Sequence, residues 1–114
     1  DPTGLRLSFR AITGEGNMSS VVYTHAELHD ILQPILRRYR MASARLFGSY
    51  ARQEATAESD IDVLVRAGDG DPFDVLAVAE DLHRATGKAV DVYEESELKP
   101  GAFRDAVLQE AVTL

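Results

Sequence analysis

Apolar residues recur with helical spacing between Thr24 and Tyr39. The apolar positions are Leu28, Ile31, Leu32, Ile35, Leu36 and Tyr39. Intervals of three and four residues place such side chains on one face of a helix. Thr24 and Glu27 have the spacing of a capping box, in which the threonine caps the helix and the glutamate reaches back. The pattern predicts a helix that begins after Thr24 and is kinked at Pro34, because proline lacks a backbone donor.

Short apolar runs and further helical segments follow this helix and predict a small sheet. The predicted strands are a run that ends at Phe47, a run over 60–66 and a run over 89–93. The predicted helices cover 49–54, 72–86 and 103–112. The middle helix has a typical start, Asp71 followed by Pro72, and a typical stop at Gly87. This order predicts one α/β domain with a small mixed β-sheet and helices packed on one face of it.

The first twenty residues have no sustained apolar period. The chain does not start with methionine, and its first methionine is Met18. We interpret residues 1–20 as a disordered leader or an engineered addition, with a short native extension as the alternative, and assign the domain to residues 21–114. Deletion of the chain up to Asn17 is accordingly expected to leave stability and activity unchanged.

Two aspartates stand at the start of the second apolar run, whose sequence is Asp60-Ile61-Asp62-Val63-Leu64-Val65. Side chains alternate across a strand, so Asp60 and Asp62 point to the same face. Two carboxylates on one face repel each other and lose hydration, and such a pair persists most easily around a cation. A hard cation with few carboxylate ligands and open positions is how Mg²⁺ is used with phosphate substrates. The structural alternative is a turn-capping pair before a strand.

Two more features extend this candidate site. Gly48-Ser49 follows the first apolar run, and a glycine at such a turn lets the backbone approach a phosphate that amides and a hydroxyl can bind. Asp91 interrupts the third apolar run, as Asp62 interrupts the second. If these two strands are neighbours, Asp91 completes the site; otherwise it is a strand-end aspartate in water. Ser49 has an alternative role as a helix N-cap.

Residues 46–65 contain Gly48-Ser49, a ten-residue spacer and Asp60-Ile61-Asp62. This stretch resembles the nucleotidyltransferases of the DNA polymerase β superfamily, and its context resembles their minimal nucleotidyltransferase (MNT) branch. MNT proteins are typically encoded beside HEPN proteins as antitoxins of prokaryotic toxin–antitoxin pairs. The resemblance covers about residues 24–114, and the combined motif is far more specific than an isolated Asp-x-Asp.

The resemblance implies a role for each candidate residue. Asp60, Asp62 and Asp91 would be catalytic and would hold divalent metal, with two Mg²⁺ ions expected. Gly48 and Ser49 would bind the β- and γ-phosphates of ATP. Asp91 would also help to deprotonate the acceptor hydroxyl.

Three positions bear on the loop between the two motifs. Arg52 either neutralises triphosphate charge or pairs with Glu54, Glu58 or another surface acid. Gln53 stands where the family usually has glycine, and a positive φ there would cost about 1 kcal/mol. Ala57 stands where proline is frequent. These departures concern the geometry of the loop and leave the predicted metal site unchanged.

The chain has 114 residues and a net charge of -7, enough for one domain. It has no cysteine, which fits a cytoplasmic protein. No apolar run approaches the roughly 20 residues of a membrane span. An acidic domain is a poor non-specific binder of nucleic acid but suits a basic protein partner. Acidity that serves only solubility is the alternative.

The resemblance implies an enzyme that adenylylates a hydroxyl, expected to be a tyrosine, of a HEPN-family toxin and so acts as its antitoxin. One alternative is a non-catalytic antitoxin that neutralises its toxin by binding alone. A small-molecule nucleotidyltransferase of the aminoglycoside-modifying kind is another. Its members usually carry an additional helical region.

Overall fold

The computed structural model describes the backbone of residues 8–11 and the whole of residues 21–114. The strands are β1 (Ser8–Ala11), β2 (Ser43–Phe47), β3 (Ile61–Arg66), β4 (Val90–Glu94) and β5 (Val112–Thr113). The α-helices are α1 (His25–Arg38), α2 (Val75–Thr86) and α3 (Ala102–Glu110). The strands form one sheet in the order β1-β4-β3-β2-β5. In the part of the chain that the structure describes, no helix is both long and apolar enough to cross a membrane.

The predicted first helix is confirmed at its start. The Thr24 hydroxyl accepts a hydrogen bond from the Glu27 amide at 3.0 Å, and the Glu27 carboxylate accepts one from the Thr24 amide at 2.8 Å. This reciprocal pair satisfies two amides that a helix start leaves without intrahelical partners. The helix runs through Pro34 to Arg38 and buries Leu28, Leu32, Ile35 and Leu36.

The sheet is mixed, as the sequence predicts. β3 and β4 are parallel and are connected through α2, whereas the other three pairings are antiparallel. A parallel neighbour needs such a crossover, because the chain must return to the same end of the sheet. The crossover brings the second and third predicted strands side by side, which is the condition for Asp91 to join Asp62.

The two faces of the sheet carry different layers. On one face, α1 and α2 cover a core that includes Ile61, Val63 and Val65 of β3. On the other face, Phe47, Leu64 and Tyr93 pack with Leu98 and with Val107 of α3. The α/β fold class is therefore confirmed, but α3 packs on the face opposite to α1 and α2, and not with them. The apolar residues of the predicted last helix do not reveal which face it covers.

Two predicted helices differ from the observed structure. The segment 49–54 forms turns, and Gln53 has φ of 59°, as expected if this position needs the glycine of the resembled family. A left-handed residue ends a right-handed helix, so the segment closes after a single turn, in which the Arg52 amide donates to the Gly48 carbonyl at 3.2 Å. The last helix ends at Glu110, because Val112 pairs with Leu46 in the sheet.

Strand β1 lies inside the segment that the sequence analysis leaves outside the domain. Ser8 to Ala11 pair antiparallel with Tyr93 to Val90 of β4, so the sheet extends into that segment. Residues 1–7 and 12–20 lie outside the described residues. A sequence signal for β1 exists that the sequence analysis overlooked, because residues 5–11 alternate strictly between apolar and polar and lie between Gly4 and Gly14.

Removal of β1 is now expected to lower stability, contrary to the expectation from sequence. Deletion up to Asn17 would remove the backbone partners of β4 and expose its edge. With about 1 kcal/mol per lost hydrogen bond, the melting temperature should fall by roughly 5–15 °C. Deletion of residues 1–7 alone, which keeps the strand, is the control. Equal melting temperatures for both truncations and the full chain would show that β1 contributes nothing.

Candidate active site

The turn after β2 brings the backbone of Gly48 against Asp62. Phe47 at the end of β2 is the register partner of Asp62 in β3. Gly48 has φ of 73°, and a Cβ atom added to it would lie 2.4 Å from Oδ2 of Asp62. Glycine is required at position 48 for two reasons: a side chain would be strained at this φ, and it would collide with the Asp62 carboxylate. Gly48 and Asp62, one residue from each of the two sequence motifs, therefore lie side by side.

The register of the parallel pair places Asp62 opposite Asp91. The two residues are partners on β3 and β4, whose backbones are about 4.8 Å apart in a sheet. The Ile61 amide donates to the Ala89 carbonyl at 2.9 Å, which aligns the starts of the two strands. Asp60, Asp62 and Asp91 are all partly buried. Asp62 and Asp91 alternate with Ile61, Val63, Val90 and Val92 of the first core, so both lie on the face of α3.

The carboxylates supply the chemistry that a hard divalent cation needs. Within residues 21–114, no three His, Cys, Asp or Glu side chains are arranged as a ready metal site. Mg²⁺ is commonly held by one or two carboxylates together with phosphate oxygens. One carboxylate from each of two neighbouring strands, Asp62 and Asp91, fits that mode, and these two would hold Mg²⁺. The part of Asp60 in the metal site stays a prediction.

A fourth acidic residue, which the sequence analysis did not predict, contacts the Gly48 turn. Oε2 of Glu110 accepts a hydrogen bond from the Gly48 amide at 3.0 Å. Oε1 of Glu110 accepts one from the Arg52 guanidinium. These two donors, the amide first, hold the pKa of Glu110 below its ordinary value. No sequence signal separates Glu110 from a surface glutamate, because it lies 62 residues from Gly48 in the chain.

Arg52 also pairs with the turn itself. Its Nε donates to Oε1 of Glu54 at 2.9 Å. The hydrogen bonds to Glu54 first and to Glu110 second raise the pKa of Arg52. One of the two predicted roles of Arg52, pairing with Glu54 or another acid, is therefore present in this structure. Its contact with a triphosphate remains a prediction.

Ser49 lies next to Gly48 and is half-buried. The residues after it form turns in which the Glu54 amide donates to the Ser49 carbonyl at 2.9 Å. Because no helix follows, the alternative role of Ser49 as a helix N-cap does not apply here. Binding of phosphate by the Ser49 hydroxyl stays a prediction.

The loop between the two motifs is held by a buried lysine that the sequence analysis did not single out. Lys88 is fully buried, and its Nζ donates to the Ala57 carbonyl at 2.8 Å. The Ser59 hydroxyl accepts from the Thr56 amide at 2.8 Å. A buried ammonium is costly unless it is hydrogen-bonded, so this contact restrains the loop that leads into Asp60. The restraint acts at Ala57, where the resembled family often has proline.

This arrangement is that of a nucleotidyltransferase, and comparison with known families agrees. The family Polymerase beta, Nucleotidyltransferase matches residues 30–114. The chain belongs to this family and is a nucleotidyltransferase.

Two similar proteins are named as protein adenylyltransferases. One is "Putative protein adenylyltransferase MJ0435" of Methanocaldococcus jannaschii, 40% identical over 80 residues, which are 69% of this chain and 85% of that protein. A second protein from that organism has the same name with the designation MJ1379. It is 38% identical over 76 residues, covering 60% of this chain and 76% of that one.

A solved structure gives the same assignment for the fold. It is described as "Structure of putative minimal nucleotidyltransferase" and superposes with a TM-score of 0.64 at 33% identity. The match covers 78% of this chain and 90% of the other. Fold and family therefore agree with the resemblance seen in residues 46–65.

Proposed function

We propose that this protein uses Mg-ATP to transfer AMP to a hydroxyl group of a partner protein. The observation that carries the proposal is the placement of Asp62 opposite Asp91, with the Gly48 backbone directly beside Asp62. Carboxylates for metal and a glycine turn for phosphate are the two parts that phosphoryl-group transfer from a nucleotide needs. A cytoplasmic location, where ATP is available, is part of the proposal.

The proposed reaction is an in-line displacement at the α-phosphorus of ATP. The acceptor oxygen forms a new bond to this phosphorus, and the bond to the bridging oxygen of pyrophosphate breaks. The hydroxyl proton passes to the Asp91 carboxylate and then to solvent. Pyrophosphate leaves with the electron pair of the broken bond.

Each side chain has a role in this scheme. Asp60, Asp62 and Asp91 would hold Mg²⁺, with two ions expected, and the metal would supply positive charge that stabilises the phosphate oxygens during transfer. The Gly48 amide and the Ser49 hydroxyl donate to the β- and γ-phosphates. Arg52, which lies in the turns that follow Gly48 and carries two carboxylate partners in this structure, contributes positive charge.

A protein acceptor is supported by the names of the relatives, which are called protein adenylyltransferases. The resemblance to MNT antitoxins extends this to a tyrosine of a HEPN-family toxin in a hetero-oligomeric complex. The net charge of -7 suits a basic partner protein and disfavours direct binding to nucleic acid.

Mixing the protein with a HEPN-family partner protein, ATP and Mg²⁺ should add one or more adenylate groups to that partner. Intact-mass measurement of the partner would show the increments. The same mixture with Asp60→Ala should show none, because one metal-binding carboxylate is lost while the surface for the partner remains.

Two other outcomes would separate the alternatives. Full neutralisation of the toxin without a mass increment would mean an antitoxin that acts by binding alone. Increments on an aminoglycoside and none on the protein would mean a small-molecule nucleotidyltransferase. Either result contradicts the proposed function.

A further inference from the structure

The carboxylate of Glu110 occupies the anion position formed by the Gly48 turn and Arg52. Its two oxygens divide between two donors: Oε2 accepts from the Gly48 amide at 3.0 Å, and Oε1 accepts from the Arg52 guanidinium. The side chain of Glu110 is 30% exposed and that of Arg52 is 49% exposed, so the contact lies at the rim of the site. A carboxylate bound to a backbone amide and a guanidinium uses the same donors that recognise a phosphate group.

These donors are the ones that the proposed function assigns to the triphosphate. The Gly48 amide has one hydrogen and cannot make a strong hydrogen bond to Glu110 and to a phosphate oxygen together. A phosphate beside Arg52 would also be close to the negative charge of Glu110, and like charges at such distances repel. Nucleotide bound in this way must therefore displace the Glu110 carboxylate.

The chain allows this displacement without loss of the core. Glu110 is the last residue of α3, and Ala111 after it is extended. The side chain has three rotatable bonds and is only partly buried, so it can turn toward solvent. The buried anchor of α3 is Val107, one turn earlier. Movement of the Glu110 side chain therefore leaves the packing of α3 in place.

We infer that Glu110 is an internal competitor of the nucleotide, a carboxylate that closes the phosphate site in the free protein and sets the affinity for ATP. This inference rests on the proposed function, since it needs a triphosphate at the Gly48 turn. The affinity of a site that is open for only a fraction of the time is reduced by that fraction. Removal of the competing charge should therefore tighten nucleotide binding without changing the groups that perform the transfer.

The test is Glu110→Gln, which keeps the size of the side chain and removes its charge. The dissociation constant of a non-hydrolysable ATP analogue with Mg²⁺, measured by calorimetry, should fall about tenfold, equivalent to about 1.4 kcal/mol. In transfer assays KM for ATP should fall and kcat should change little. Asp105→Asn is the matched control, because it removes one carboxylate charge from an exposed position of the same helix. It should bind the analogue like the unchanged protein.

Glu110→Ala provides a second variant, because the glutamine amide oxygen can still accept a hydrogen bond from Gly48. It should bind the analogue at least as tightly as Glu110→Gln. Weaker binding by both variants would mean that Glu110 holds Arg52 in place for the nucleotide, and unchanged binding would make it a bystander. Both results overturn the inference while the unchanged protein still binds nucleotide. If the unchanged protein and all variants fail to bind the analogue, the proposed function itself fails and the inference with it.

Discussion

Asp62→Asn is expected to reduce nucleotidyl transfer by about 10³-fold or more while the protein stays folded. Asp62 lies opposite Asp91 in the sheet and against Gly48 in the turn. It therefore connects the candidate metal ligands with the turn that is assigned to the triphosphate. Asparagine has nearly the same size but no charge, and a neutral amide is a poor ligand for Mg²⁺ at a site with few carboxylates. Metal-derived stabilisation of several kcal/mol would be lost, at 1.36 kcal/mol for each tenfold change in rate.

The measurement combines a transfer assay with a melting curve and a Mg²⁺ titration. Asp69→Asn serves as the control, because Asp69 is exposed in the turn after β3 and loses the same charge. The control should keep the activity of the unchanged protein. An Asp62→Asn protein that melts normally and transfers at nearly the normal rate would remove Asp62 from the metal site.

The outline of the fold could be predicted because most of its helices and strands have recognisable local sequence patterns. The capping box at Thr24 and the apolar stripe after it define α1 from sequence alone. Two apolar runs interrupted by aspartate define β3 and β4. Once a crossover helix connects them, parallel pairing follows, and with it the neighbourhood of Asp62 and Asp91. This part of the site follows from the period of a strand and from topology.

Other features depend on contacts that no local pattern encodes. Helix α3 packs on the face opposite to α1 and α2 because Val107 meets Phe47, Leu64 and Tyr93. Glu110 reaches Gly48 only when α3 has packed there. Lys88 looks like an ordinary surface lysine in sequence, yet the fold buries it against the Ala57 carbonyl. Long-range partners of this kind appear only in the folded chain.

Asp91→Ala is expected to lower the turnover number by about 10²–10⁴-fold, the range that a positioned base contributes. Asp91 lies on β4 beside Asp62 and is half-buried. It is separated in the chain from the Gly48 turn, which is assigned to the triphosphate. Its loss should therefore affect the proton transfer and the metal position more than the binding of ATP. Affinity for a non-hydrolysable ATP analogue should change much less than turnover.

The melting temperature distinguishes a residue that takes part in the reaction from one that only supports the fold. If Asp91 accepts the proton of the acceptor hydroxyl, Asp91→Ala should lower turnover while the melting temperature stays close to that of the unchanged protein. A purely structural role would lower the rate and the melting temperature together. Asp69→Ala is the control for the loss of an exposed aspartate. Loss of affinity for the analogue at unchanged turnover would make Asp91 a nucleotide-binding residue, because a missing base slows the chemical step and leaves the binding of ATP in place.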